Sequence, residues 1–168
     1  EIRSCFIPKK DYKIVGGDYS AMELRVIAEF SQDETWINAF INGEDLHSKL
    51  CSMTFDIDIK DVKKPFPSKP TFTYRDVQKT LNFGLAYGMS EFKLADTLQI
   101  TKEEAIDIIN KFFSRVPKVQ QFLDTLAYLG STRGYIRTGQ PYGRVRFFPG
   151  YKSSDNKILS SIERKSKN

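Results

Sequence analysis

The stretch Tyr74–Ser90 reads YRDVQKTLNFGLAYGMS, and it opens as a helix should. Thr73 can cap the first turn, and Asp76, three residues later, can complete a capping box. The spacing predicts a helix running to about Gly88. Arg75, Lys79, Phe83 and Tyr87 recur every fourth residue. Each such step drifts by about 40°, so the first three lie within about 80° of one face and span about 12 Å. Arg75 stands in the first turn, where the helix dipole repels a cation. That placement makes sense if an anion docks on the free N–H groups and two basic side chains. Phe83 and Tyr87 offer flat faces at the other end. Gly84 and Gly88 leave room for something to approach the backbone, and a glycine inside a helix costs about 1 kcal/mol relative to alanine. A core aromatic stripe with solvated basic residues at one end would satisfy the same spacing.

On the N-terminal side, Lys63–Pro70 (KKPFPSKP) holds three prolines in eight residues and reads as a loop. Helices are expected over Thr35–Ile41 and Leu46–Phe55. Ala21–Phe30 also has helical spacing, with Met22, Val26 and Phe30 on one stripe and Leu24, Ile27 and Ala28 widening it. Two short strands, Arg3–Ile7 and Lys13–Gly17, are expected around the turn-like Pro8–Tyr12. On the C-terminal side, Thr101 and Glu104 form a second capping box for a helix to about Ser114. Pro117 can begin another, through about Leu129. Tyr135–Phe148 reads as a hairpin around Gly139–Gly143, and Asp155–Asn168 as a helix striped by Ile158, Leu159 and Ile162. Strands at the ends and helices in the middle make an α+β pattern.

The chain has 168 residues, with 26 Lys and Arg against 21 Asp and Glu, a net charge of +5. This is globular composition, large enough for a core. No apolar run approaches the length of a membrane span, and the start lacks a signal-peptide core. Two cysteines, Cys5 and Cys51, and one histidine are too few for a disulfide scaffold or a Cys- or His-rich metal centre. From Arg133 onward nine basic residues face two acids, which leaves 17 basic and 19 acidic residues before it. A basic tail on a mildly acidic body suggests a polyanion partner, although a solvated basic surface would look the same.

Gly16-Gly17-Asp18-Tyr19-Ser20-Ala21-Met22-Glu23-Leu24-Arg25 is the second informative segment. A carboxylate at a strand end, on the brink of a helix, can hold Mg²⁺ against phosphate oxygens. Asp18 by itself is also what a helix N-cap or turn wants.

Together the two segments resemble the family A DNA polymerases. DYSAMELRVIAEFSQD is similar to that family's motif A, and YRDVQKTLNFGLAYGMS to its motif B. GEDLH, Gly43–His47, is similar to a segment between them. Gly143-Arg144-x-Arg146-x-x-Pro149, followed by Ile162-Glu163-Arg164-x-x-Asn168, resembles the downstream stretch. The resemblance implies mostly helical fingers inserted between short antiparallel palm strands. Residues 1–31 would hold palm strands and the motif A helix, 32–132 the helical fingers with motif B, and 133–168 a hairpin and a basic, DNA-facing helix returning to the palm.

The implied activity is template-directed transfer of a nucleotide from dNTP to a primer 3′-OH between two Mg²⁺ ions. Asp18 would bind metal, with the Tyr19 carbonyl beside the second ion. Glu23 would be the steric gate against a ribose 2′-OH. Arg75, Lys79 and His47 would bind the triphosphate, and Lys79 would donate a proton to pyrophosphate. Phe83 would pack on the sugar, its missing hydroxyl implying discrimination against dideoxynucleotides. Tyr87 would close the site beside the nascent base pair. Arg25, Arg164 and Asn168 would lie near the primer–template minor groove.

Ala21 stands where the family usually has a longer polar residue, often Gln. The sequence stops ahead of motif C, which carries the second metal aspartate. The expectation is therefore negligible polymerisation by these residues alone, with that aspartate on a separate C-terminal polymerase fragment or further along a longer chain. A non-catalytic nucleotide- or nucleic-acid-binding relic is the alternative. A single-subunit RNA polymerase is a third reading, opposed by the pairing of Glu23 with Phe83. The expected setting is the cytoplasm of a bacterial or phage-infected cell, with an organelle fitting as well, and no membrane partner.

Overall fold

A computed structural model describes residues 2–139 and 143–167. Among these residues, eight α-helices carry the architecture: α1 (Met22–Ser31), α2 (Glu34–Ile41), α3 (Leu46–Phe55), α4 (Tyr74–Ala86), α5 (Glu91–Leu98), α6 (Lys102–Arg115), α7 (Pro117–Arg133) and α8 (Asn156–Ser166). Two small antiparallel ribbons complete it. β1 (Pro65–Phe66) pairs with β2 (Lys69–Thr73), and β3 (Tyr135–Arg137) with β4 (Val145–Phe147). The fold class is α+β, as the sequence pattern predicts.

Local signals set most helix starts. Both predicted capping boxes form: Thr73 with Asp76 opens α4, and Thr101 with Glu104 opens α6. Pro117 occupies the first turn of α7, where its missing N–H costs nothing. The core gathers where α3, α4, α5 and α6 meet, around Leu50, Leu81, Leu94, Leu98 and Phe112, with Trp36 of α2 also fully buried. Each such side chain contributes roughly 1.5–3 kcal/mol on leaving water. α8 lies along α7, and the approach depends on Gly130, because a Cβ there would meet the Ser166 Oγ at 1.8 Å.

Several expectations need correction. The strands at Arg3–Ile7 and Lys13–Gly17 are absent: residues 2–5 form a 3-10 turn and 13–17 have no regular structure. Ile7, Ile14 and Val15 are exposed, so this segment buries nothing that would hold a hairpin, and an isolated hairpin is marginal. The proline-rich Lys63–Pro70 is a ribbon rather than a loop. Pro65 pairs with Thr73, and Phe66 with Lys69, and a two-stranded ribbon leaves each strand an unpaired edge where proline is tolerated. Phe66 is the anchor, making edge-on contacts with Phe55 and Tyr74 at centroid distances of 5.8 and 5.1 Å. α5 was not expected, and α7 extends four residues past Leu129 to a Gly134 cap at φ 74°. On α1, Leu24 and Ala28 face the core, whereas Met22, Val26 and Phe30 are each about half exposed. The 135–148 hairpin forms as predicted in β3 and β4, its Gln140–Tyr142 tip lying outside the described residues.

Candidate active site

α4 is the ruler of the site. Its first turn is fixed by the Thr73–Asp76 box and by the Arg75 N–H donating to the Val62 carbonyl at 2.8 Å. Tyr74, wedged against Phe55 and Phe66, locks the same turn from below. Arg75, Lys79 and Phe83 then line one wall of a cavity of about 650 Å³. α3 adds His47, and the segment running into α1 supplies the opposite wall with Asp18, Tyr19, Glu23 and Arg25. Eight of the residues singled out from the sequence therefore meet across one space, although up to 65 positions separate them.

Asp18 is not a helix cap. The N-cap of α1 is Ala21, which makes no side-chain cap bond and sits in the left-handed region at φ 52°, ψ 39°. Such a backbone costs a residue with a Cβ about 1–2 kcal/mol, and it turns the chain so that Asp18 to Ala21 border the cavity. Arg25 is steadied there by a bond from Nε to the Ser20 carbonyl, 3.0 Å, with its guanidinium 4.4 Å over the Phe40 ring.

Charge on the α4 wall is organised by a residue the sequence reading missed. Asp45 caps α3 by accepting from the His47 N–H, takes a 2.6 Å bond from Ser48 Oγ, and accepts from Arg75 Nε at 2.7 Å. Burial works to raise the Asp45 pKa, but the bonds from Arg75 and Ser48 overcome it and lower the value to about 2. The bond to Asp45 in turn raises the pKa of Arg75. His47 lies with its ring 5.7 Å from that of Phe83. Its pKa falls below the ordinary imidazole range, first through burial, with Arg75 and Lys79 adding to the fall and Asp45 opposing it. Behind it stand two further missed residues, Gln78 and Asn82, both buried. Their signal was an i, i+4 polar pair on the same face as the apolar Val77, Leu81 and Leu85.

Tyr87 and Arg164 do not join this cavity. They line a second one, of about 880 Å³, between the end of α4 and α8. The room left by the two glycines is filled from within the chain. A Cβ on Gly84 would meet the Met89 side chain, and one on Gly88, at φ 74°, would lie 3.3 Å from the Arg164 Cα. Asn168 lies outside the described residues.

Asp18 and Tyr19 offer oxygen donors of the kind Mg²⁺ takes. Among the described residues no group of three or more His, Cys, Asp or Glu side chains stands together as a metal site. The described residues by themselves do not make a metal centre. Among them, no helix is long and apolar enough to cross a membrane.

Comparison with known proteins places the chain in a family. The family model for DNA polymerase family A matches residues 1–168, and the chain belongs to that family. It is 36% identical over 163 residues to DNA polymerase I of Caldicellulosiruptor bescii, covering 97% of this chain. It is 34% identical over 169 residues to DNA polymerase I of Geobacillus stearothermophilus, covering 100% of this chain. In each case it spans 18% of the relative's length. A solved structure described as the POL domain of Pol1 from M. smegmatis in complex with DNA primer-template and dNTP superposes with a TM-score of 0.77 at 35% identity. That match covers 90% of this chain and 25% of the other.

Proposed function

We propose that this chain is the nucleotide-binding part of a template-directed DNA polymerase, taking dNTP and primer–template DNA as substrates. The observation that carries the reading is the single cavity in which Arg75, Lys79, His47 and Phe83 face Asp18, Tyr19 and Glu23. Residues 1–31 are then the palm side, 32–132 the fingers, and 133–168 a DNA-facing return to the palm. Arg75 and Lys79 bind the triphosphate as charge-assisted donors, with His47 beside them. Lys79 is placed to give its proton to the departing pyrophosphate. Phe83 supports the sugar, and Glu23 fills the space of a 2′-hydroxyl. Arg25 on the rim, with Tyr87 and Arg164 on the α4–α8 side, is assigned to the templating base pair and the duplex, where phosphate contacts are independent of sequence; Asn168, outside the described residues, is assigned to the duplex from the resemblance alone.

Two Mg²⁺ ions would be the cofactor in this reading, supplying charge stabilisation at the reacting phosphate when bound. Asp18 and the Tyr19 carbonyl would hold part of that centre. The second carboxylate comes from a segment outside the described residues, in the same polypeptide or in a separate polymerase fragment. The bacterial relatives support work in the cytoplasm of a bacterial or phage-infected cell, with an organelle fitting as well. Asp18 is the one carboxylate among the described residues assigned to metal, and this favours a second reading, in which these residues bind nucleotide and nucleic acid without catalysis.

The test is a titration of each dNTP with and without primer–template. A polymerase site gains affinity for the templated dNTP only, and Arg75→Ala or Lys79→Ala each weakens it roughly 10- to 100-fold, the value of a lost charge-assisted bond. Equal affinity for all four nucleotides regardless of template would support the binding relic instead. Extension that needs Asp18 and a supplied C-terminal segment would separate enzyme from relic.

A further inference from the structure

Gln78 and Asn82 are 0% and 1% exposed, on the face of α4 that packs into the core. A polar side chain there costs about 1–3 kcal/mol unless its groups are paired. The pairing leads toward the cavity. Gln78 Nε2 donates to Asn82 Oδ1 at 2.8 Å, and Asn82 Nδ2 lies 2.8 Å from His47 Nδ1.

The direction of the relay fixes the imidazole. An amide NH₂ only donates, so Nδ1 must accept, and the ring proton must sit on Nε2. The relay could run backwards only if both amides turned over. As it stands, the unpartnered buried atom of the pair is the Gln78 Oε1 carbonyl. Reversal would put an unpartnered NH₂ in that place, and orphaned buried N–H groups are rarer than under-satisfied carbonyls. The charged groups around the ring divide, Asp45 favouring a second proton and Arg75 and Lys79 opposing it.

We infer that Gln78 and Asn82 are positioning residues that hold His47 as the neutral Nε2–H tautomer, so that it meets an anionic phosphate oxygen as a directed N–H donor and not as a cation. The identity of the acceptor rests on the nucleotide-binding reading above; the tautomer does not. Neither residue touches the reacting atoms, and both act through His47. Burial of the ring, which disfavours its charged form, supports the same state.

His47 is the one histidine of the 168-residue chain, so ¹⁵N-labelled histidine gives a single pair of ring-nitrogen signals. At neutral pH the expected spectrum has an unprotonated Nδ1 and a protonated Nε2. A proton on Nδ1, or a free-histidine mixture of tautomers, would overturn the inference. Asn82→Asp replaces the donor by an acceptor and must bring a proton onto Nδ1; an unchanged spectrum in the folded variant also overturns it. If that variant does not fold, Gln78→Leu releases the Asn82 amide and must relax the ring toward the mixture, an unrelaxed ring counting against the relay. Titrating the templated dNTP with primer–template onto wild-type protein should shift the Nε2–H signal. A correct tautomer with no shift despite dNTP binding would overturn the phosphate contact. If no dNTP binds at all, the nucleotide reading itself fails while the tautomer result stands.

Discussion

Replacing Asp45 tests how the α4 wall is held together, because one carboxylate caps α3 and grips Arg75. Its pKa of about 2, against an ordinary 3.8, corresponds to roughly 2.5 kcal/mol at 1.36 kcal/mol per unit. The side chains are 43% exposed for Asp45 and 32% for Arg75, so solvent screens the pair and about 1 kcal/mol is the realistic share. Asn caps a helix about as well as Asp, whereas Ala loses the cap at about 1 kcal/mol. Asp45→Asn should therefore cost about 1 kcal/mol and Asp45→Ala about 2 kcal/mol. The sign with pH follows from the lowered value. Between the two pKa values the unfolded chain binds more protons, so the stabilisation is complete above about pH 4 and is lost as pH falls toward 2. Urea unfolding can be followed through Trp36, the single tryptophan and a fully buried one. An Asp45→Asn protein as stable as wild type near neutral pH would refute the ion-pair share. A wild-type advantage that persists unchanged below the lowered pKa would refute its electrostatic origin.

Gly88→Ala should destabilise the chain by about 1–2 kcal/mol in the same assay, because φ is 74° and the new Cβ crowds the Arg164 backbone; a neutral result would refute both the backbone strain and the crowding. Native protein at mildly alkaline pH should take one iodoacetamide adduct, at exposed Cys5, since burial pushes the Cys51 thiol up to about 12. Two adducts by mass spectrometry before unfolding would contradict that burial. His47 titrates lower folded than unfolded, so its contribution to stability is present above about pH 6.5 and is lost as pH falls below it. His47→Gln should remove that part of the pH dependence, seen as parallel stabilities of variant and wild type only if the assignment is wrong. In an active assembly Glu23→Ala should raise ribonucleotide incorporation relative to deoxyribonucleotide, measured as a ratio of kcat/KM values, and an unchanged ratio removes the steric-gate role.

What the sequence disclosed divides by the range of the interaction. Capping boxes at Thr73 and Thr101 are decided within four residues, and both formed. The strands expected near the start needed a pairing partner that local composition cannot report, and Ile7, Ile14 and Val15 are exposed instead. Periodicity finds α1 and includes its buried Leu24 and Ala28, but it centres the stripe on the half-exposed Met22, Val26 and Phe30, because that helix is apolar on more than one side and only its neighbours decide which side is covered. KKPFPSKP misled because three prolines outweighed Phe66, whose burial between Phe55 and Tyr74 holds the ribbon.

The same division runs through the site. Arg75, Lys79 and Phe83 were legible from spacing on one helix, whereas Asp45, Gln78 and Asn82 gain their meaning from contacts between helices. Arg75 shows why this matters. A cation in the first turn of a helix was read as a sign of a docking anion, and part of that anion proves to be Asp45 of the chain itself. The ion pair does not dispense with an external ligand, because the bonds to Asp45 and Ser48 both start from Nε. A guanidinium has further N–H donors on its two Nη groups. Asp45 therefore offsets the unfavourable dipole and holds the fork by its Nε, which under the proposed function leaves the Nη groups for phosphate. An arginine anchored in this way loses less freedom on binding than a solvated one. Under the proposed function the internal carboxylate is thus better understood as preorganising the anion site than as competing with it.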